Sequence, residues 1–103
     1  MIYNISVKEL LNKGNSVEII DIRNNQSYNN NHIPNAKNIP SMELISNPSK
    51  YLEKNKTYYL YCQKGKSSVR VCSLLNNLGY STININGGYE AWILSKWFLW
   101  FNS

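Results

Sequence analysis

Thiols and imidazoles are scarce in this chain. Two cysteines, Cys62 and Cys72, and one histidine, His32, occur in 103 residues. That is too little for a disulfide framework and offers no zinc-ligand spacing, so neither a metal nor a cofactor is expected. A bridge between the two cysteines is also unexpected. If Cys72 lies about two turns into a helix that starts after Cys62, their Cα atoms exceed the ~7 Å that a disulfide spans. Acidic residues are few as well, six against eleven lysines and arginines, giving a net charge of +5. Such a surface favours anions: nucleic acid, an acidic partner or a small anionic substrate. The lysines are scattered, however, with no basic block and no aromatic-basic signature, which argues against nucleic acid. No apolar run approaches membrane-spanning length, and "MIYNISVKEL" lacks the basic and apolar regions of a signal peptide. The expected setting is the reducing cytoplasm.

What is present fits one small domain over 1–103. That length closes a single core of modest size. A hydrophobic fraction of 43%, with eight tyrosines and three tryptophans, excludes a disordered chain. The asparagine-rich "NNQSYNNNH" reads as solvated turns.

Along the chain, a short extended start at Ile2 to Asn4 precedes Ser6 and Glu9, a capping box that opens a helix to about Lys13, ended by Gly14. "VEIID" reads as a buried strand that ends on Asp21. "QSYNNN" suggests a short helix, and Pro34 and Pro40 bracket a brief strand around Asn38 and Ile39. "SMELI" starts another helix, ended near Asn47-Pro48. "TYYLYC" is β-branched and aromatic; from Ser68 the apolar stripe Val71, Cys72, Leu75, Leu78 has helical spacing up to a C-cap at Gly79. "STININ" is a further strand, ended by Gly87-Gly88, and "YEAWILSKWFLWF" a last helix or helix with a tail. Strands alternating with helices indicate βα units around a parallel sheet.

In an open parallel sheet, ligands bind outside the C-terminal ends of the strands. Cys62 falls at such an end. The segment "CQKGKS" then brings backbone amides toward the start of the next helix, where free N–H groups and the helix dipole favour an anion. Helix N-termini and neighbouring lysines lower a thiol pKa from ~8.5 into the range ~3.5–7.5. Lys64 and Lys66 flank Gly65, which can take positive φ and curl the loop into an anion-binding nest. Cys72, by contrast, falls on the apolar stripe and is expected in the core.

These residues resemble the single-domain rhodanese-like family, sulfurtransferases of the thiosulfate-using type. "IIDIR" with "HIPNAKNIP" is similar to the family's Asp-x-Arg followed by His-Ile-Pro-Gly-Ala and Ile-Pro. "YCQKGKSS" resembles its active-site loop, and "LGYSTININGGYEAW" its Gly-Tyr, Gly-Gly and Trp pattern. The resemblance implies an α/β fold with a mostly parallel five-stranded sheet flanked by helices on both faces. It implies a catalytic Cys62 and a persulfide-binding loop of Gln63, Lys64, Gly65, Lys66, Ser67 and Ser68. Asp21 and Arg23 match a pair near that site, the acid supporting the loop and the arginine being structural, while His32 is expected to pack or hydrogen-bond. The chain departs from the pattern at Ser67, where many single-domain members have arginine, and at Asn31 and Asn35, where glycines are usual. Asparagine tolerates left-handed backbone, so the turn can survive.

The chemistry implied is ping-pong transfer of sulfane sulfur from thiosulfate or a related donor to a thiol or protein acceptor through a Cys62 persulfide. Alternatives are a sulfur-relay carrier that serves one protein partner and a non-catalytic binding module of the same fold. A cysteine phosphatase or arsenate reductase fits less well, because a phosphatase loop needs arginine six positions after the cysteine, where this chain has Ser68. Residues 96–103 form an apolar aromatic C-terminal extension. Its aromatics are expected to cover the domain's own core, the alternative being self-association or a partner contact.

Overall fold

The computed structural model describes residues 1–101. Five strands lie in the order β1-β5-β4-β2-β3: β1 (Asn4–Ile5), β2 (Glu18–Asp21), β3 (Lys37–Asn38), β4 (Thr57–Tyr61) and β5 (Ser81–Ile85), every pairing parallel. Six helices connect them: α1 (Val7–Asn12), α2 (Asn25–Asn30), α3 (Ser41–Ser46), α4 (Pro48–Tyr51), α5 (Lys66–Asn77) and α6 (Gly88–Phe101). This is the expected α/β architecture, with helices on both faces of the sheet.

Strand parity explains the two faces. Along β4 the buried side chains alternate. Tyr58, Leu60 and Cys62 enter one core with Leu44, Val71, Cys72 and Leu75; Tyr59 and Tyr61 enter the other with Val7, Leu10 and Trp92. A strand buried on both sides must therefore read as a continuous apolar run, as "TYYLYC" does. Burying a valine or leucine of the α5 stripe contributes about 1.5–3 kcal/mol, and Val71 and Leu75 are both buried.

Local chemistry sets the helix ends. Ser6 and Glu9 form the reciprocal capping box that starts α1. Gly14 does follow its end, at φ +70, but opens a short 3-10 turn over Gly14–Ser16 before β2. The Asn47-Pro48 break ends α3 and also starts α4, an element not expected from sequence, with proline in the first turn where its missing N–H costs nothing. At the end of α5, Gly79 at φ +98 donates to Asn76 O and Tyr80 N to Leu75 O, the double bond of a Schellman ending. Asn35 takes the left-handed φ of +72 expected of it, whereas Asn31 is extended at φ −172 and needs no glycine-like freedom.

The topology also places the site. From β4 the chain crosses by α5 to β5 on one side; from β2 it crosses by α2 to β3 on the other. The connections thus diverge between β2 and β4. A crevice opens at such a switch point, outside the C-terminal strand ends, and Asp21 and Tyr61, paired across it, are the last residues of those strands.

Candidate active site

Cys62 follows directly on β4 and is buried, at 6% exposure. Gly65, at φ +94, caps α5 without a side-chain bond, so the helix begins at Lys66, two residues earlier than the apolar stripe suggests. That early start puts Ser68 in the first turn, fully buried, with its amide aimed back at the cysteine. The amides of Gly65 and Ser68 donate to Cys62 Sγ at 3.1 and 3.3 Å. The thiol in turn reaches Ser68 Oγ at 3.3 Å.

Burial pushes the Cys62 thiol up, but the Ser68 hydroxyl and the amides of Ser68, Gly65 and Lys64 outweigh it, leaving the pKa below that of an ordinary thiol. The sequence credited this to lysines as well. The leading favourable contributions are in fact one hydroxyl and three amides, and Lys64 and Lys66 are exposed at the rim. Of the expected loop, Gln63, Lys64, Lys66 and Ser67 face solvent, while Gly65 and Ser68 are buried beside the sulfur. Cys72 is a contrast. Fully buried on α5, its pKa is pushed up to about 11 by desolvation, only partly offset by Thr82. Both thiols are free.

The start of α6 is built against this loop. Tyr89 N donates to Cys62 O at 2.9 Å and Glu90 N to Gln63 O at 3.1 Å, so the first two carbonyls of the loop turn away from the sulfur and the following amides turn toward it. Only glycine allows that approach: a Cβ on Gly88 would lie 2.2 Å from Cys62 O, and one on Gly65 would lie 3.0 Å from Gly87 N. The Gly-Gly pair quoted above thus has a structural cause in the loop it touches.

Asp21 and Arg23 reach the site in the opposite order to the one expected. Arg23 holds Asp21 through Nη2 at 2.8 Å and Nε at 3.1 Å, stacks over Tyr89 at 4.1 Å and donates to Gln63 Oε1 at 3.2 Å. The arginine touches the loop, and the acid stands behind it. Gln63 also donates to Glu90 Oε2 at 3.3 Å, so its amide is bracketed by an arginine and a carboxylate. His32 packs as expected, Nδ1 2.8 Å from Tyr28 O and its ring stacked 3.8 Å from the Tyr28 ring.

Sequence reasoning missed Asn84. Buried on β5, it accepts from Ser68 Oγ at 2.5 Å and donates to Asn4 Oδ1 at 3.0 Å. The available signal was a residue type depleted in strands inside "STININ". Among the described residues no group of three or more His, Cys, Asp or Glu is placed to hold a metal. A groove of about 990 Å³ opens beside β2 and β3 between Val17, Tyr28, Lys37 and Tyr58, and no residue of the Cys62 loop lines it.

Residues 5–95 match the rhodanese-like domain family. The chain belongs to that family. A putative sulfurtransferase of Bacillus subtilis is 32% identical over 87 residues, 84% of each chain. A thiosulfate sulfurtransferase of Coxiella burnetii is 34% identical over 92 residues, 88% of this chain and 84% of its own. The crystal structure of a rhodanese-like domain protein from Staphylococcus aureus superposes with a TM-score of 0.81 at 34% identity, covering 88% of this chain and 91% of that one. A rhodanese-related protein of Thermoplasma volcanium gives 0.82 at 28% identity, covering 90% and 92%. For this rhodanese-like domain the comparisons support sulfur transfer or sulfur relay at the level of the superfamily. Among the described residues no helix is long and apolar enough to cross a membrane.

Proposed function

We propose that this rhodanese-like domain, one unit with residues 96–103 as an extension, moves sulfane sulfur from thiosulfate or a related donor to a thiophilic acceptor through a persulfide on Cys62. The observation that carries the reading is the sulfur at the start of α5, held by the amides of Gly65 and Ser68 with its pKa depressed. A thiolate so stabilised needs no separate base.

In the first half-reaction the Cys62 thiolate attacks the outer sulfur of thiosulfate. The new S–S bond forms as the bond to the sulfonate sulfur breaks, and the electron pair leaves on sulfite. Cys62 then carries a persulfide anion. The amides from Gln63 to Ser68 offset its charge, and the exposed ammonium groups of Lys64 and Lys66 attract the donor and the departing dianion. In the second half-reaction the acceptor, cyanide in the assay and a thiol or protein thiol in the cell, takes the outer sulfur and returns the thiolate. Charge and atoms balance in both steps without a cofactor or metal. Arg23, fixed by Asp21, holds Gln63 and with it the first peptide of the loop. Two free cysteines suit a reducing cytoplasm.

The test is thiocyanate formation from thiosulfate and cyanide. Cys62→Ser loses it by about three orders of magnitude or more with the fold retained, and Cys72→Ser keeps it within about threefold. Loss in Cys72→Ser with retention in Cys62→Ser would assign the wrong nucleophile.

A further inference from the structure

Ser68 has one hydroxyl proton and two claims on it. Its Oγ lies 3.3 Å from Cys62 Sγ and 2.5 Å from Asn84 Oδ1. As the network stands, the thiol donates to Ser68, Ser68 donates to Asn84, and Asn84 Nδ2 donates to Asn4 Oδ1 at 3.0 Å and, more weakly, toward Asn86 Oδ1 at 3.5 Å. Every bond in that series points away from the sulfur. It suits the neutral thiol, which has a proton to give; the Ser68 hydroxyl favours the thiolate only when its own proton is turned onto the sulfur.

We propose that Asn84, steered by Asn4, is a positioning residue whose amide turns over when Cys62 ionises and so redirects the Ser68 hydroxyl onto the sulfur. The inference rests on Cys62 being the reacting nucleophile. In the turned arrangement Ser68 Oγ–H donates to the thiolate, Asn84 Nδ2 donates to Ser68 Oγ, and Asn4 Nδ2 donates to Asn84 Oδ1. No proton travels along the series, which rearranges by rotation alone after the thiol proton leaves to solvent. Burial makes the turn obligatory. Ser68 is 0% and Asn84 1% exposed, so neither can exchange a lost partner for bulk water, and the desolvation cost of a buried polar group left unpaired goes uncompensated. Asn4 and Asn86 are exposed and can turn in response. An amide is suited to this place because its two ends, donor and acceptor, are nearly the same shape.

The charged and titratable groups around Cys62 are Lys64 and Lys66 on its loop, Asp21 at the end of β2 and Arg23 just after it, Tyr58 and Tyr61 on β4, Cys72 on α5, and Tyr89 and Glu90 on α6. Among the described residues none of them hydrogen-bonds to the Ser68 or Asn84 side chain, so the series is a separate input to the sulfur. Asn4→Asp gives Asn84 a partner that only accepts. Its amide is then held with Oδ1 toward Ser68, in the arrangement that suits the thiol. Asn84→Asp, isosteric, holds the Ser68 proton directly.

The experiment is the pH dependence of iodoacetamide alkylation of Cys62, mapped by peptide mass, in the full chain and in Asn4→Asp, Asn84→Asp, Ser68→Ala and the two doubles. Each aspartate raises the alkylation midpoint by about one pH unit, the scale of one hydrogen bond to a charged group. In the Ser68→Ala background neither aspartate moves it. A midpoint unchanged in Asn4→Asp, or a shift that survives in Ser68→Ala and is thus only the field of the new charge, overturns the proposal. Asn4 is exposed, so its variant keeps the fold. Alkylation needs no sulfur donor: the predicted shifts in a protein that forms no thiocyanate would keep the relay and remove the sulfurtransferase reading.

Discussion

At the scale of single residues, the two thiols of one short chain are separated by what surrounds each sulfur. Cys62 receives N–H groups from Gly65 and Ser68; Cys72 sits on the apolar stripe of α5. Their pKa values move in opposite directions from the ordinary thiol, and reactivity follows. Alkylation of Cys62 in the folded protein continues at pH values below the usual thiol range of ~8.5. Cys72 stays unmodified until the pH approaches its value of about 11. The sign for stability follows from the same shift. Cys72 is raised above its unfolded value, so its contribution is complete below ~8.5 and is lost as pH rises toward about 11. Residue-resolved alkylation between neutral pH and pH 10 checks this, and comparable rates at both cysteines would contradict it. The place of Cys62 was legible from sequence because a cysteine, a glycine and two lysines stand together at a strand end. Asn84, the acceptor of the Ser68 hydroxyl, was not, since 16 positions separate it from Ser68 and only the packing of α5 on the sheet brings them together. The roles within Asp21 and Arg23 were likewise hidden, because which of the two reaches the loop depends on a contact 40 positions away, at Gln63.

At the scale of elements, the Cys62 loop is held between two helix starts. α5 supplies amides to the sulfur, and α6 takes up the carbonyls of Cys62 and Gln63. Glycine at the start of α6 is a condition of that packing. Gly88→Ala places a methyl against Cys62 O and a side chain at φ +59. It is expected to destabilise by about 2 kcal/mol or more and to lower sulfur transfer, because the loop must move. Gly14→Ala at φ +70, with nothing within 4 Å of its added Cβ, carries the backbone term alone, about 1 kcal/mol, and leaves transfer unchanged. Urea denaturation with the thiocyanate assay separates them, and equal losses would show that loop contact is not the reason for Gly88. Caps and periodicity made most elements readable, α1 through its capping box and the end of α5 through Gly79. α4 escaped because Pro48 was read only as an ending, and the start of α5 was placed late because a glycine N-cap carries no side-chain signal.

At the scale of the whole molecule, a strand buried on both faces and a divergence of crossovers between β2 and β4 bring Cys62 to the sheet's crevice; the first was legible in "TYYLYC", whereas the second depends on the strand order, which the alternation of strands and helices leaves open. The end of α6 was read less well. Trp92 is buried, but Trp97, Phe98 and Trp100 are 55%, 67% and 68% exposed, so these aromatics do not cover the domain's core as expected. Residues 102 and 103 lie outside the described residues. The exposed aromatics leave the other expectation, self-association or a partner contact through this end of the helix. Sedimentation is expected to show a dimer for the full chain and a monomer, with Cys62 reactivity unchanged, for a chain ended after Ser95; identical monomers would remove the contact. The most direct test of the central claim is intact mass after incubation with excess thiosulfate, with the adduct mapped by peptide and then challenged with cyanide. The account predicts a gain of one sulfur on Cys62 that cyanide discharges as thiocyanate. A folded protein that gains no sulfur there, or gains it on Cys72, would contradict it.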